Sequence, residues 1–313
     1  MKRLIAMAII AVTAIEFVSA APEVTDITAK QRYPWNGLVD ISCKVSGIEA
    51  DAGGYEFAVV AVDKGTGREY TVSTLSIQHN GEEVPDVCDN GDYSLLWNVR
   101  EDMGQVVFER MAVRITLEAL AASVGKVQLW EGGPYWADRN IGAKKPEDSG
   151  LYFWWGDTKG HRPVYNITGG SLDVYTYRKS VTELQSAGWV TSSGILAPAH
   201  DAAHVKWGRA WRMPTEGELN DLNSKCDWTW TTQSGVSGYI VRGRGAHAAN
   251  SIFFPCVNPG HGTSIHDAGW CGYYWTSAPR WANDYAWSLL FNSREHSTRY
   301  SDRYYWYSVR PVQ

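Results

Sequence analysis

Tryptophan placement constrains this chain more than any other feature. Sixteen Trp and 17 Tyr stand against 7 Phe, and all the tryptophans except Trp35 and Trp97 lie from Trp130 onward. The bias selects rings that join a large apolar surface to a polar handle. In the same stretch turn residues dominate and regular elements are few. Such a region has to be held together by large aromatic contacts, so it reads as an α+β fold with long loops. One helix is well signalled. Pro214-Thr215-Glu216-Gly217-Glu218 precedes Leu219 and Leu222, so Thr215 can cap the helix while Glu218 reaches back to the Thr215 amide. It is expected to end near Lys225, and a second short helix is expected over 201–205. Strand candidates are 238–242, 251–254, 273–276, 286–291 and 308–312.

Residues 24–117 have another texture. Short alternating runs at 24–29, 38–45, 57–62, 69–75, 93–99 and 106–117 are separated by turn residues such as Gly53-Gly54, Lys64-Gly65-Thr66-Gly67 and Asp89-Asn90-Gly91-Asp92. Strands at this spacing predict a β-sandwich of immunoglobulin or fibronectin type over 22–117. Residues 118–125 are rich in Ala and end in Gly, which suits a linker. The reading is therefore two-domain: an N-terminal all-β sandwich, then an α+β domain over 126–313. Nothing in the sandwich suggests catalysis, and a spacer or presenting role is expected for it.

The N-terminus predicts export. Lys2 and Arg3 precede an apolar run over 4–15, and Val18-Ser19-Ala20 offers small residues for cleavage, so 1–20 reads as a signal peptide. The run is short for a transmembrane anchor, and no later segment is apolar enough to span a bilayer. An extracellular, cell-surface or periplasmic location follows. A net charge of −5 gives no reason to expect nucleic acid as a partner. Five Cys in an exported chain suggest disulfides. The expected pairs are Cys43–Cys88 and Cys256–Cys271, with Cys226 a buried thiol; spacing alone leaves other pairings open.

A set of ordered blocks over residues 127–312 carries a resemblance. They are Trp136-Ala137-Asp138-Arg139-Asn140-Ile141-Gly142-Ala143, Pro146-Glu147-Asp148-Ser149-Gly150, Trp155-Gly156-Asp157-Thr158, Asp201-Ala202-Ala203, Trp207-Gly208 and Trp211-Arg212-Met213-Pro214-Thr215. Gly238-Tyr239, Ser251-Ile252-Phe253-Phe254-Pro255, Gly272-Tyr273-Tyr274-Trp275-Thr276-Ser277 and Val309-Arg310-Pro311-Val312 complete them. With these blocks the region resembles the Fibrobacter succinogenes major paralogous domain, a family of exported bacterial proteins. The resemblance implies a C-type lectin-like fold, related to that of formylglycine-generating enzymes. Cys256 and Cys271 depart from the family pattern, and their joint appearance fits a local disulfide. The family has no well-established biochemical activity. Some lectin-like proteins of this kind also resemble variable proteins of diversity-generating retroelements, in which the C-terminal segment is rewritten at adenine-bearing codons.

The stretch from Trp270 to Gln313 has the look of such a segment. It is crowded with Tyr, Trp, Asn, Ser, Arg, Asp and His, the mixture that adaptable binding surfaces use. The expected ligand face comprises Trp281, Asn283, Asp284, Tyr285, Ser288, Asn292, Arg294, His296, Tyr300, Asp302, Tyr304, Tyr305, Trp306 and Tyr307. Trp275, Trp287, Leu289, Phe291, Val309 and Val312 are expected to be buried scaffold. The partner would be a protein or glycan on another cell or surface, bound by shape and hydrogen bonding with no cofactor and no catalytic residue.

Enzyme readings compete with this one. Fold kinship alone does not transfer the copper chemistry of formylglycine-generating enzymes, since no Cys follows Cys271. His200-Asp201-Ala202-Ala203-His204 spaces two His for one helix face, but it has Asp where a zinc protease needs Glu. His261, His266 and Asp267 lie between Cys256 and Cys271 and offer a Cys–His pair. Trp281-Ala282-Asn283-Asp284 is a broken version of a calcium-ligand triplet, without the six or more oxygens calcium needs. A structural surface protein whose tail is simply core is the third reading.

Overall fold

The computed structural model describes residues 21–33, 35–49, 52–104, 110–161, 178–257, 260–261, 264–265, 270–281 and 284–313, with the backbone alone at 260, 261, 264 and 265. The expected signal peptide lies outside the described residues. The protein is mostly β, 46% strand against 13% helix, so sheets rather than helices satisfy most backbone hydrogen bonds. Among the described residues no helix is long and apolar enough to cross a membrane.

The first part of the chain holds β1 (Glu23–Gln31), β2 (Leu38–Ser46), β3 (Tyr55–Asp63), β4 (Glu69–Thr71), β5 (Leu75–His79), β6 (Glu82–Val84), β7 (Gly91–Asn98), the short helix α1 (Val99–Met103) and β8 (Met111–Ala119). They form a five-stranded sheet in the order β1-β2-β7-β5-β6 and a three-stranded sheet β4-β3-β8. The period-two pattern explains why. Val39, Ile41, Cys43 and Val45 of β2 and Tyr93, Leu95 and Trp97 of β7 point to one side of the first sheet. Phe57, Val59 and Ala61 of β3 with Ile115 of β8 complete the same core from the second sheet.

The remainder contains β9 (Lys126–Gln128), β10 (Tyr135–Ala137), β11 (Tyr152–Trp154), α2 (Val181–Ser186), α3 (Ala202–Trp207), α4 (Glu216–Lys225), β12 (Asp227–Gln233), β13 (Val236–Arg242), β14 (Ser251–Pro255), β15 (Gly260–His261), β16 (Ser264–Ile265), β17 (Cys271–Pro279), β18 (Tyr285–Asn292), β19 (His296–Asp302) and β20 (Tyr305–Ser308). A seven-stranded sheet runs β16-β15-β20-β17-β18-β19, with β11 also paired to β20. The sheet β12-β13-β14 and the pair β9-β10 flank it.

The predicted capping box is present at α4. Thr215 Oγ1 accepts from the Glu218 amide at 3.3 Å and Glu218 Oε2 accepts from the Thr215 amide at 2.8 Å. The sequence reading passed over β12, whose Trp228 and Trp230 pack against the core. The expected strand over 308–312 begins and ends earlier, as β20. Beyond it the chain stays extended and makes single bridges from Val312 to Trp136 and Arg212.

Two of the sequence blocks meet in space. The Ala137 and Ile141 amides donate to the Pro311 and Val309 carbonyls at 2.9 and 3.1 Å. Arg310, 1% exposed, donates to Asn140 Oδ1 at 2.8 Å, the Ala137 carbonyl at 3.3 Å and the Phe253 carbonyl at 2.9 Å. Its guanidinium also lies 4.6 Å over the Phe254 ring. Burial pushes its pKa down to about 10, which leaves it cationic at neutral pH.

No disulfide is present among the described residues, so neither expected pair is joined. Cys43 points into the core between the first two sheets. Cys88 turns elsewhere, with its thiol 3.3 Å from Asp86 Oδ1 and 3.6 Å from Lys206 Nζ. Cys256, at the end of β14, is buried, and a charge on Cys271 would raise its pKa further. Cys226 is buried, as a thiol held up at about 11 by burial.

Candidate ligand-binding face

β18 and β19 form a hairpin whose register decides which side chains meet. Tyr285 pairs with Asp302, Trp287 with Tyr300, Leu289 with Thr298 and Phe291 with His296. Cross-strand partners share a face of the sheet. At one end of the hairpin that face is open, and at the other it is covered.

The open end is organised around Tyr300, which is 46% exposed. The Arg280 guanidinium lies 3.7 Å over its ring. Tyr285 and Trp287 meet the same ring edge-on, at centroid distances of 5.3 and 6.0 Å. Trp281, 75% exposed, stands beside Arg280 on the connection out of β17. Packing on three sides orients Tyr300 while leaving part of the ring to solvent, which lowers the entropy cost of using it as an anchor. β19 is also the edge of the seven-stranded sheet, so the cluster borders open backbone.

Beneath this end sits Arg303, fully buried. Its Nε donates to the Tyr285 carbonyl at 3.0 Å and its Nη1 to the Lys179 carbonyl at 2.9 Å, and its guanidinium lies 5.0 Å over Trp155. Its backbone amide donates to the Asp284 carbonyl at 2.8 Å. Burial pushes its pKa down to about 10, and the Asp284 carboxylate acts against that shift. Asp284 Oδ1 is itself buried. Asp284 therefore faces inward and helps to seat the loop rather than offering its carboxylate to a ligand.

The other expected site residues divide by location. Asn292 and Arg294 lie at the turn of the hairpin, roughly 20 Å along the strand from Tyr285. Asn292 Oδ1 accepts from the Arg294 and Glu295 amides at 2.8 and 3.2 Å, so it builds the turn, and Arg294 is exposed at the tip. His296 is half-buried and stacks on Trp228 at 4.2 Å, with its Nδ1 2.9 Å from Asn223 Oδ1. Tyr304 and Tyr305 are half-buried with centroids 4.8 Å apart. Asp302 is half-buried opposite Tyr285. Asn283 lies outside the described residues.

Three of the expected ligand residues are interior and must be reassigned. Ser288 is 0% exposed, Trp306 1% and Tyr307 2%. Ser288 lies on the face opposite Trp287 and its hydroxyl approaches Ser301 Oγ of β19 at 3.1 Å. Trp306 packs against Trp154, and Tyr307 against Trp275 at 4.3 Å. Both faces of β20 are covered, since Trp306 enters one core cluster and Tyr307 the other, and only Tyr305 at the start of the strand stays half-buried. Trp287 departs in the opposite direction. It is half-buried and belongs to the Tyr300 cluster.

The sequence reading missed Arg280 and Arg303. The pairing of Arg280 with an exposed Tyr has no local spacing signal, because Tyr300 is one strand away. Arg303 sits in a run of polar residues that looks solvated.

The alternative sites resolve differently. His200 and His204 do not share a helix. His200 belongs to a 3₁₀ turn and stacks on Trp189 at 3.7 Å, while His204 is inside α3. Asp201 caps α3, accepting from the Ala203 and His204 amides at 2.9 and 3.1 Å and from Met213 at 2.9 Å. His266 and Asp267 lie outside the described residues. Among the described residues no group of three or more His, Cys, Asp and Glu is gathered in a way that holds a metal ion.

The two stacked histidines carry a pH prediction. Burial holds both imidazoles below their ordinary pKa. The unfolded chain then takes up these protons at higher pH than the folded one. Stability is expected to fall as pH drops below about 6.5. Denaturation curves between neutral and mildly acidic pH check this, and His200→Gln with His296→Gln should flatten the decline.

No family model, curated protein or solved structure matches the chain.

Proposed function

We propose that the protein is an exported bacterial binding protein. In this reading an immunoglobulin-like sandwich presents a C-type lectin-like domain of the major paralogous type, and the open end of the β18–β19 hairpin takes a protein or glycan ligand on another surface. The observation that carries the reading is Tyr300. Its exposed ring is gripped by Arg280, Tyr285 and Trp287 beside exposed Trp281. Aromatic and Arg side chains of this kind dominate binding hot spots. The Tyr304–Tyr305 pair would extend the contact. Diversification of the segment by a retroelement fits the division between an inward scaffold and outward Tyr and Arg positions.

The test compares the wild type with Trp281→Ala/Tyr300→Ala. Both proteins are applied to a glycan array and to intact bacterial and host cells. Removing Tyr300 costs about 1–2 kcal/mol of stability through its three contacts, so circular dichroism checks that the variant is folded, while loss of a hot spot weakens binding by about 30-fold or more. Wild-type binding that the double variant loses is the expected result. Equal binding by the two proteins, or none by either, would sink the reading. Diversification has its own test in DNA. A reverse transcriptase gene and an adenine-rich copy of the tail should lie near the coding sequence.

A further inference from the structure

Away from the hairpin, one side chain of α3 crosses to the first part of the chain. Lys206 Nζ lies 2.6 Å from Asp86 Oδ1, and the two side chains are 3% and 7% exposed. Lysine is almost never buried to this degree without a partner. A buried ion pair is also a poor stabiliser, since an apolar pair of the same volume does as well or better. The surroundings are closed. Gly54 packs on the Cys88 sulfur so tightly that a Cβ there would stand 2.8 Å from Sγ. The Gly54 amide donates to the Lys206 carbonyl at 2.8 Å and its carbonyl accepts from the Leu120 amide at 3.0 Å. Gly53, at φ +90°, meets the Trp207–Gly208 backbone, where a Cβ would approach to 2.7 Å. Cys88 contributes a thiol 3.3 Å from the same Asp86 oxygen.

We propose that Lys206 and Asp86 condense into an isopeptide bond that covalently ties α3 to the segment between β6 and β7. Nζ lies 2.6 Å from Oδ1 and Cγ is one bond beyond that oxygen, so the two atoms that must join are about 3–3.5 Å apart, the separation from which attack can begin. The step needs no oxidant. The ammonium first passes a proton to Oδ1, giving a neutral amine and a neutral acid. That transfer is strongly uphill in water. Burial works against the Lys206 charge, but the neighbouring Asp86 and Cys88 outweigh it and hold the ammonium above its ordinary pKa, so the neutral pair is a minor species and the condensation is slow. The Nζ lone pair then attacks Cγ and the N–Cγ bond forms. The Cγ–Oδ1 bond breaks, and Oδ1 leaves as water with a second proton from Nζ. Oδ2 remains as the amide oxygen, and the Cys88 thiol, directed at Oδ1, assists its departure. Two charges disappear from a dry site, so the product removes the desolvation cost that the ion pair carries.

Mass spectrometry of the denatured full chain tests this directly. The wild type should be lighter than its sequence by one water, while Lys206→Arg should show its full sequence mass. Trypsin should fail to cut after Lys206, and fragment spectra should join the peptides that carry Lys206 and Asp86. Asp86→Asn should reach the same final mass as the cross-linked wild type, by loss of ammonia instead of water. A wild type of full mass, with the two residues on separate peptides, overturns the proposal. So does a water loss that maps to any other residue.

Discussion

Replacing Trp306 by Ala is expected to lower the free energy of unfolding by about 3–5 kcal/mol, the range for deleting a buried aromatic ring. The ring is 1% exposed and packs between Trp154 and Tyr152, at centroid distances of 6.1 and 6.4 Å. Its strand pairs with β11 on one side, where Trp154 and Trp306 are cross-strand partners, and with β15 as well. Neighbours fixed in the paired strand β11 cannot readily collapse into the cavity, which favours the upper part of the range. Tyr300→Ala is the comparison, expected to cost about 1–2 kcal/mol through its contacts with Arg280, Tyr285 and Trp287, well below the loss at Trp306. Urea denaturation of the two variants separates interior from face within one polar, aromatic stretch. Equal and small effects would place Trp306 at the surface.

Arg310→Met is expected to cost about 3 kcal/mol or more. Three acceptors, Asn140 Oδ1 and the Ala137 and Phe253 carbonyls, take their hydrogen bonds from this one guanidinium. A buried polar group left unsatisfied costs about 1–3 kcal/mol. Met keeps much of the packing on Phe254, so the loss reports mainly on those acceptors. Arg310→Lys should not rescue the protein, because a single ammonium lacks the planar fork that reaches three acceptors. Denaturant unfolding checks both variants. A loss under about 1 kcal/mol would mean that the carbonyls find other partners.

Much of the local structure could be read from the sequence, because its determinants are local. Alternation in 38–45 and 93–99 placed Ile41 and Leu95 inward, and the spacing of Thr215 and Glu218 fixed the start of α4. β12 escaped because its Thr and Asp residues look like a loop, although its partner β13 follows directly across the Ser234-Gly235 turn. The tail was legible at Leu289, Phe291, Val309 and Val312. It was not legible at Trp306, Tyr307 and Ser288, where composition suggested display. Whether a Tyr or Trp is floor or surface depends on what packs over each face of its strand, and both faces of β20 are covered by residues far away in the sequence. The same limit hid Arg280, Arg303 and the Lys206–Asp86 pair, whose partners all lie outside any sequence window.

The β18–β19 hairpin joins residues near one another along the chain. The contacts that hold it up do not: Arg310 reaches back to Ala137 and Asn140, and β20 to Tyr152. Rates of folding are governed by the slow closure of such distant contacts, and a short-range hairpin adds little to that barrier. Substitutions at Tyr285, Trp287 or Tyr300 should therefore leave the speed of folding nearly unchanged. A lineage could rework this surface many times without lengthening the interval in which the unfinished chain is open to aggregation and proteases.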